Sequence, residues 1–365
     1  MARQRSSGSR HANNETMATR CVRAEPANRD IIPTRGCAGL FDTRPRLYIA
    51  LILCAILGTY GYKVRTEGIF SCQATGYAPD WYLAYCHADG YGDYEHGAFG
   101  FDLEPAATQF AAGATVLFLG SSRMQHALST KTTADWFSSA ATPYYLMGFG
   151  YTENVVFVRE ILRKLRPSAK VYVINVDGFF VLSETPPAKI VLRDSNARIR
   201  YAVKRAWQSL HQRICHSFAA ICGDNYVIFR SRKTGDYRVW GLDKFKSRAV
   251  SYDRTVNRAE TDLEIATARE FLRDLPVSSP CVILTMVPMA GTKIDKAKAI
   301  AAALDMDLVA PDLEWLRTFD GSHLDRASAE RWSQAFLQAA APRIRQCTGD
   351  ARLTGTAAVS TPTGQ

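Results

Sequence analysis

Short apolar runs alternate with helix-forming stretches in two parts of this chain, and that alternation limits the fold more than any other feature. In the first part, apolar runs at 115–119, 144–147 and 170–176 alternate with helical patterns at 123–137 and 153–165. In the second part, helical patterns at 261–275, 293–304 and 326–339 alternate with apolar runs at 281–286 and 308–310. Because parallel strands are joined by crossover helices, the pattern predicts an α/β domain with a parallel sheet covered on both faces.

A basic segment at 183–258 separates the two parts and is best interpreted as an insertion, largely helical. Within it, residues 195–221 carry apolar side chains at helical spacing with bases between them, which predicts an amphipathic helix. Those apolar residues are Ile199, Val203, Trp207, Leu210, Ile214, Phe218 and Ile221. Two interpretations stay open. The apolar stripe packs on the main domain and the bases are solvated, or the segment contacts anionic lipid or an anionic glycan.

Residues 47–62 contain no charge and are flanked by Arg44 and Arg46 before and by Lys63 and Arg65 after. This predicts a transmembrane anchor at 46–63, preceded by a disordered cytoplasmic segment at 1–45. A cleaved signal peptide and a core helix are the alternatives, and the tyrosines at 60 and 62 fit a cleavage site poorly. Bases outnumber acids before the span, which places the N-terminus inside the cell and residues after it in the bacterial periplasm.

The cysteines agree with that compartment. Of nine cysteines, Cys21, Cys37 and Cys54 fall before or in the span, which leaves an even set of six beyond it. In an oxidising space these can pair fully, and pairing of neighbours gives Cys72–Cys86, Cys215–Cys222 and Cys281–Cys347. Six cysteines allow about 15 connectivities, and buried free thiols are the alternative.

Two motifs carry the candidate chemistry. The first apolar run continues into Gly120, Ser121 and Ser122, which places a serine hydroxyl in a tight turn after a strand. Near the other end, Asp320 precedes His323 by three residues, close enough for a carboxylate to orient an imidazole. Ser122, His323 and Asp320 therefore predict a Ser-His-Asp hydrolase or acyltransferase, with His126 as a competing base.

These motifs, together with a glycine-bearing turn at Gly148 and Gly150, resemble the SGNH or GDSL-type hydrolase superfamily. The resemblance covers about 113–177 and 261–340. It implies a three-layer α/β/α, flavodoxin-like fold over 113–347, with Ser122 as nucleophile, His323 as base and Asp320 as orienting acid. It also implies oxyanion donors from the Ser122 backbone, Gly148 or Gly150, with Asn175 uncertain because the family's G-x-N-D motif is missing.

Members with a G-S-S turn and an anchor are similar to cell-envelope proteins that transfer or remove acyl groups on polysaccharides. The expected partners are therefore an envelope polysaccharide or other acylated glycan, the inner membrane through one helix and, left open, an acyl-transporting membrane protein. Nothing in the motifs separates hydrolysis from transfer. A catalytically silent binding or assembly subunit is the second function class, and a free-standing lipase is the third.

The juxtamembrane segment at 64–112 is crowded with aromatic residues between Cys72 and Glu104. Three interpretations of this segment stay open. It packs under the domain or at the bilayer surface, it forms a platform on which sugars stack, or it binds a metal through His87, Asp93, Glu95 and His96. Their spacing matches no recognised metal motif, so we expect neither a metal nor another cofactor. The formal net charge of +10 would suit nucleic acid, but the predicted side of the membrane excludes that partner. Residues 348–365 are expected to be a disordered tail.

Overall fold

The computed structural model of this chain describes residues 45–128 and 131–349. The expected disordered segments at 1–45 and 348–365 therefore lie almost entirely outside the described residues. The chain divides into two compact units, residues 1–55 and 56–365. In the first unit the described part is the start of helix α1, Pro45–Thr66, which continues into the second.

Helix α1 contains the apolar stretch noted in the sequence but is longer than that stretch. Within the described residues, Leu47–Thr66 is the one helix long and apolar enough to cross a membrane. The 22 residues of α1 correspond to about 33 Å at 1.5 Å per residue. The extra length comes from residues 45–46 and 63–66, and the hydroxyl of Thr66 donates to the carbonyl of Tyr62 in the last turn.

A parallel four-stranded sheet forms the centre of the second unit, as the alternating pattern predicts. Its strands stand in the order β4-β3-β5-β9 and all neighbours are parallel. The strands are β3 (Val116–Ser121), β4 (Tyr144–Phe149), β5 (Val171–Asn175) and β9 (Val282–Thr285). Every residue of these strands is buried, which explains why the runs are apolar throughout rather than alternating.

Side chains of the sheet point alternately into two hydrophobic clusters. Leu117 and Leu119 belong to one cluster, and Val116 and Phe118 belong to the other. The first cluster includes residues of α3 (Pro105–Ala112), α6 (Val155–Leu165), α9 (Arg258–Arg273) and α10 (Ile294–Ala303). The second includes residues of α4 (Ser122–Leu128), α5 (Lys131–Ser139) and α11 (Arg326–Thr348).

Several element boundaries differ from the expected ones. Where a helix is expected at 123–137, the structure has α4 up to Leu128 and α5 from Lys131, and residues 129–130 lie outside the described ranges. The last helix runs nine residues past position 339 to Thr348, because Ala340, Ala341 and Ile344 continue its buried face. The strand expected at 308–310 is a single parallel bridge between Leu308 and Leu284, since Pro311 follows at once and cannot donate to a longer ladder.

A second sheet joins two segments that the sequence treats separately. Its antiparallel order is β2-β1-β6-β7, with β1 (Trp81–Cys86) and β2 (Gly92–Asp93) from the juxtamembrane segment. Strands β6 (Val227–Ser231) and β7 (Tyr237–Trp240) come from the insertion. The insertion also supplies α7 (Pro186–Arg193) and α8 (Ala197–Ser217), and the short α2 (Glu95–Gly100) follows β2. A two-stranded pair, β8 (Arg248–Ala249) with β10 (Arg317–Thr318), completes the strands.

The three disulfides expected from neighbour pairing are present. They join Cys72 to Cys86, Cys215 to Cys222 and Cys281 to Cys347. The last ties the start of β9 to the end of α11, and Cys54 is the free cysteine of the described residues. This part of the sequence prediction is confirmed.

Candidate functional site

Ser122 lies where the central strand β3 ends and α4 begins. The strand has β4 on one side and β5 on the other, so its carboxyl end is at the middle of the sheet edge. Glycine permits the close approach there. A Cβ atom at Gly148 would lie 2.5 Å from the carbonyl oxygen of Ser121, and one at Gly120 would lie 3.1 Å from the Cβ of Asn175.

The structure brings the serine and the distant Asp-x-x-His motif together. Ser122 Oγ lies 2.8 Å from His323 Nε2, and His323 Nδ1 lies 2.7 Å from Asp320 Oδ2. When Nδ1 carries the proton and donates to the carboxylate, Nε2 is free to accept from the serine hydroxyl. This is the hydrogen-bond chain that nucleophilic catalysis by serine requires.

A tight turn holds the acid and the imidazole in place. Asp320 Oδ1 accepts from the backbone N–H of Ser322 at 2.8 Å and of His323 at 2.9 Å. Gly321 has φ +94°, a backbone conformation that favours glycine. The ring of Phe319 stacks on that of His323, with centroids 5.5 Å apart. These contacts therefore fix both carboxylate oxygens of Asp320 and the orientation of the His323 ring.

The same contacts set the charge of the acid. Burial alone would raise the pKa of Asp320, but the hydrogen bond and charge of His323 and the two backbone N–H groups together hold it well below its usual range. The carboxylate is therefore ionised at neutral pH and stabilises an imidazolium at His323.

His126 lies beside the Ser122–His323 pair, with its ring centroid 4.5 Å from that of His323. Burial, followed by the positive charge of His323, lowers its pKa well below the ordinary value. Its Nε2 has no hydrogen-bond partner among the described residues. A neutral ring of low basicity is a weak proton acceptor, so this geometry favours His323 over His126 as the base.

Arg123 and Asp177 join the site, and the sequence analysis gave them no role. Arg123 forms an ion pair with Asp177, which follows β5, and its Nε donates to Ser322 Oγ at 2.9 Å. The arginine thus ties the serine turn to the His323 turn and to the neighbouring strand. The positions of Arg123 and Asp177 just after two predicted strands were a usable signal in the sequence, because the carboxyl ends of adjacent parallel strands meet at one edge of a sheet.

The three candidate oxyanion donors, Gly148, Gly150 and Asn175, lie in different surroundings. Gly150 lines the cavity at Ser122, but its N–H donates to Glu95 Oε1 at 2.8 Å. Gly148 pairs with Gly120 inside the sheet. Asn175 is fully buried beneath the turn; its Oδ1 accepts from Val287 N at 3.1 Å, and its Nδ2 has no partner among the described residues. The Glu95 contact was not expected from the sequence.

A cavity of about 290 Å³ opens at Ser122 and His323. Part of its lining comes from the juxtamembrane segment, through Tyr85, and from the insertion, through Tyr226 and Phe245. Tyr151, which follows β4, adds a fourth aromatic side chain. Residues 64–112 and 183–258 therefore supply part of the lining of the site.

A larger cavity of about 610 Å³ adjoins the first, and His126 lines both. Trp81, Tyr237, Trp240 and Phe319 contribute aromatic surface to it. The guanidinium of Arg238 lies 4.0 Å from the centroid of the Trp81 ring. Aromatic side chains with a few polar groups are typical of ligand-binding clefts.

Several charged side chains are buried next to the lining of the cavity at Ser122. Arg230 is fully buried and donates to Glu95 Oε2 at 3.0 Å. His96 is fully buried and bonds through Nδ1 to Asp93 at 2.7 Å and through Nε2 to Glu153 at 2.9 Å. Burial would lower the pKa of His96, but those two carboxylates raise it to about 10. The ring is therefore an imidazolium at neutral pH.

Two groups of potential metal ligands occur within the described residues. Asp93, Glu95 and His96 offer ligand atoms within 4.8 Å of one another, but both nitrogens of His96 already bond to carboxylates. In the second group, His211 lies near Cys215 and Cys222, which form a disulfide and so present no thiolate. His87 is not in either group and lies 3.2 Å from the hydroxyl of Tyr85.

Comparisons of this chain with protein-family models, with curated proteins and with solved structures found no match.

Proposed function

We propose that this protein is a membrane-anchored serine esterase or O-acyltransferase with an SGNH-like, three-layer α/β/α domain. Its substrates are acyl esters of a cell-envelope glycan. The observation that carries the proposal is the continuous hydrogen-bond chain from Ser122 through His323 to Asp320, at 2.8 and 2.7 Å. The helices beside both faces of the parallel sheet support the SGNH-like assignment.

The reaction follows from that chain. Ser122 Oγ attacks the ester carbonyl carbon while its proton passes to His323 Nε2. The tetrahedral intermediate expels the alcohol, which takes the proton from His323, and an acyl-serine remains. Water or a glycan hydroxyl then gives its proton to His323 and attacks the acyl group, and Ser122 recovers its proton as it leaves. Hydrolysis and transfer differ only in the nucleophile of this second half.

An envelope location is supported by two independent features. The basic residues preceding the apolar helix favour a cytoplasmic N-terminus, and three disulfides favour an oxidising compartment for the rest of the chain. We infer a single-pass protein of the bacterial inner membrane with a periplasmic domain. A reporter fused after Gln365 should be active only outside the cytoplasm, and activity confined to the cytoplasm would overturn this orientation.

The glycan assignment rests on the large aromatic cavity beside the catalytic one. Trp81 and Trp240 line it, and flat aromatic faces are suited to sugar rings. An envelope polysaccharide is therefore the proposed acceptor or acylated substrate, and an acyl-transporting membrane protein would be a natural donor if the reaction is transfer.

A catalytically silent binding subunit is the second candidate. The hydrogen bond from Gly150 N–H to Glu95 favours it, because a donor that already holds a carboxylate cannot also stabilise an oxyanion. Loss of one such donor typically costs about 100- to 1000-fold in rate.

Reaction of the purified full-length chain with a fluorophosphonate probe separates the two candidates. We expect labelling of the native chain and none of the Ser122→Ala chain. Ser121→Ala, at the neighbouring buried serine, is the matched control and should still be labelled. Equal labelling of native and Ser122→Ala chains, or no labelling of the native chain, would count against a catalytic serine at this position.

A further inference from the structure

Helix α8 buries its polar face against the rest of the protein and exposes its apolar face. A surface helix of a globular protein usually has the opposite arrangement. The side chains that it buries against the rest of the protein are mainly polar. Tyr201 donates to Asp93 Oδ2 at 3.0 Å, Gln208 donates to the carbonyl of Leu83 at 2.8 Å, and His211 Nε2 lies 3.1 Å from the carbonyl of Cys72.

The outward face is apolar. Ile199 is 66% exposed, Val203 49%, Trp207 46% and Leu210 42%. Their spacing of four, four and three residues puts them in one stripe along the helix. Phe218 and Ile221 continue it past the end of the helix at 63% and 41% exposure. Single exposed apolar residues are ordinary, but a continuous stripe of this kind marks a contact surface.

Bases lie on the solvent side of α8, which contains no acidic residue. Arg198, Arg205 and Arg213 are exposed and none forms an ion pair with any residue in the described ranges. At 100° per residue, Arg213 lies beside the stripe, roughly 40° from Ile199, whereas Arg198 and Arg205 lie roughly 100° and 120° from Ile199 on the solvent side of the helix. Long basic side chains beside a Trp-containing apolar stripe are typical of helices that lie in the headgroup region of a bilayer.

The position of α8 beside the end of α1 agrees with a helix that lies on a bilayer surface. The residue pair Arg65 and Ala220 joins the last turn of α1 to the segment after α8, with Arg65 Nη1 donating to the carbonyl at 2.8 Å. Phe70, four residues past the end of α1, packs edge-on against Trp207 with centroids 6.3 Å apart. The part of the stripe from Trp207 to Ile221 therefore lies close to where the chain would leave the membrane.

We propose that the stripe formed by Ile199, Val203, Trp207, Leu210, Phe218 and Ile221 docks on the surface of an anionic lipid bilayer. The proposal rests on the membrane anchoring inferred above. It adds a second contact, which would hold the catalytic cavity at a fixed height and orientation above the membrane rather than leaving the domain to swing on one helix.

Bromolipid quenching in nanodiscs of the full chain tests this docking. An environment-sensitive fluorophore is attached to single reactive cysteines after Cys21 and Cys37 are changed to serine. One chain keeps Cys54 as a reporter of the anchor. The others have Cys54→Ser with Val203→Cys, with Leu210→Cys as a second stripe position, or with Leu263→Cys. Leu263 is the matched control, since it is 72% exposed on a different helix.

We expect blue-shifted emission and quenching by brominated anionic lipid at positions 203 and 210 and neither at position 263. Arg213→Gln should shift the docked population by about fivefold, the effect of one base near an anionic surface. Quenching at Cys54 without quenching at 203 and 210 would overturn the docking and leave the anchor intact. Quenching at neither would overturn both.

Blue-shifted emission at 203 without bromolipid quenching would also overturn the proposal, because it would show that a protein surface covers the stripe. Quenching at 203 with none at Cys54 would support docking and contradict the transmembrane anchor.

Discussion

Replacing Asp320 by asparagine tests the catalytic chain with the smallest change in shape. In the native turn, Oδ1 accepts from two backbone N–H groups and Oδ2 accepts from His323 Nδ1. Asparagine has one carbonyl oxygen and cannot fill both positions. If the carbonyl keeps the backbone donors, the amide NH₂ faces Nδ1. That nitrogen must then act as the acceptor, and Nε2 keeps the proton that points towards Ser122.

An imidazole in that tautomer cannot take the proton of Ser122. We therefore expect kcat for a small acetyl ester to fall about 10⁴-fold, which corresponds to about 5.4 kcal/mol at about 1.36 kcal/mol per tenfold. Since the two backbone hydrogen bonds survive, the cost in free energy of unfolding should stay within about 1.5–3 kcal/mol, the worth of one hydrogen bond to a charged group.

The measurement is hydrolysis of 4-nitrophenyl acetate by the full-length chain, with fluorophosphonate labelling in parallel. Asp325→Asn is the matched control. Asp325 Oδ1 caps α11 by accepting from Ser328 N at 2.9 Å, and asparagine caps helices equally well. The control should keep the native rate. Folded Asp320→Asn protein with a rate within tenfold of native would refute the orienting role of this carboxylate.

The pH dependence provides a second readout of the same change. Because the pKa of Asp320 is lowered in the folded protein, its ionised form contributes stability above the ordinary carboxyl pKa of about 3.9. That contribution is lost as the pH falls through the lowered folded value. The stability difference between native and Asp320→Asn chains should therefore be largest near neutral pH and shrink in acid, as urea unfolding at several pH values would show.

Three further predictions concern residues around the site. His126→Phe should keep ester hydrolysis within about tenfold of native, because a buried ring of low basicity is not the base; a loss as large as that of His323→Ala in the same assay would reverse the assignment. Arg230→Gln should lower the free energy of unfolding by about 3–5 kcal/mol by stranding a buried carboxylate, whereas Arg198→Gln should leave the melting temperature unchanged; equal shifts would contradict the burial. His96, with its pKa raised to about 10, contributes stability below about pH 6.5 that is lost as the pH rises towards 10. Between pH 7 and 9.5 the free energy of unfolding should therefore fall more in the native chain than in His96→Gln. Parallel plots of the free energy of unfolding against pH would show that the ring is neutral.

Arg230 also shows where pattern alone misleads. Arg198, Arg205, Arg230, Arg232 and Lys233 look like one basic face in the sequence. In the structure Arg230 is fully buried against Glu95, and Arg232 pairs with Glu104. Of the two interpretations left open for residues 195–221, packing of the apolar stripe on the domain is wrong for most of its residues, because Ile199, Val203, Trp207 and Leu210 are exposed and Ile214 is half-buried. The bases Arg198, Arg205 and Arg213 are solvated, as that interpretation expected.

Local patterns in the sequence were enough to predict the parallel sheet, the apolar helix, the three disulfides and the proximity of Ser122 to His323. The sheet and the apolar helix follow from short-range apolar patterns, the disulfides from the even number of cysteines beyond the apolar helix, and the Ser122–His323 pair from two motifs. The sequence could not show that Trp81–Cys86 pairs with Val227–Ser231. Antiparallel pairing between segments about 140 residues apart leaves no local signal.

The consequences of that pairing were therefore invisible too. It brings Glu95 to the N–H of Gly150, supplies Tyr85, Tyr226 and Phe245 to the cavity at Ser122, and turns the apolar face of α8 outward. Which side of an amphipathic helix is buried depends on what the neighbouring elements offer as partners. Here the antiparallel sheet and its loops offer hydrogen-bonding groups, so the polar face of α8 is inside and the apolar face is left for another surface.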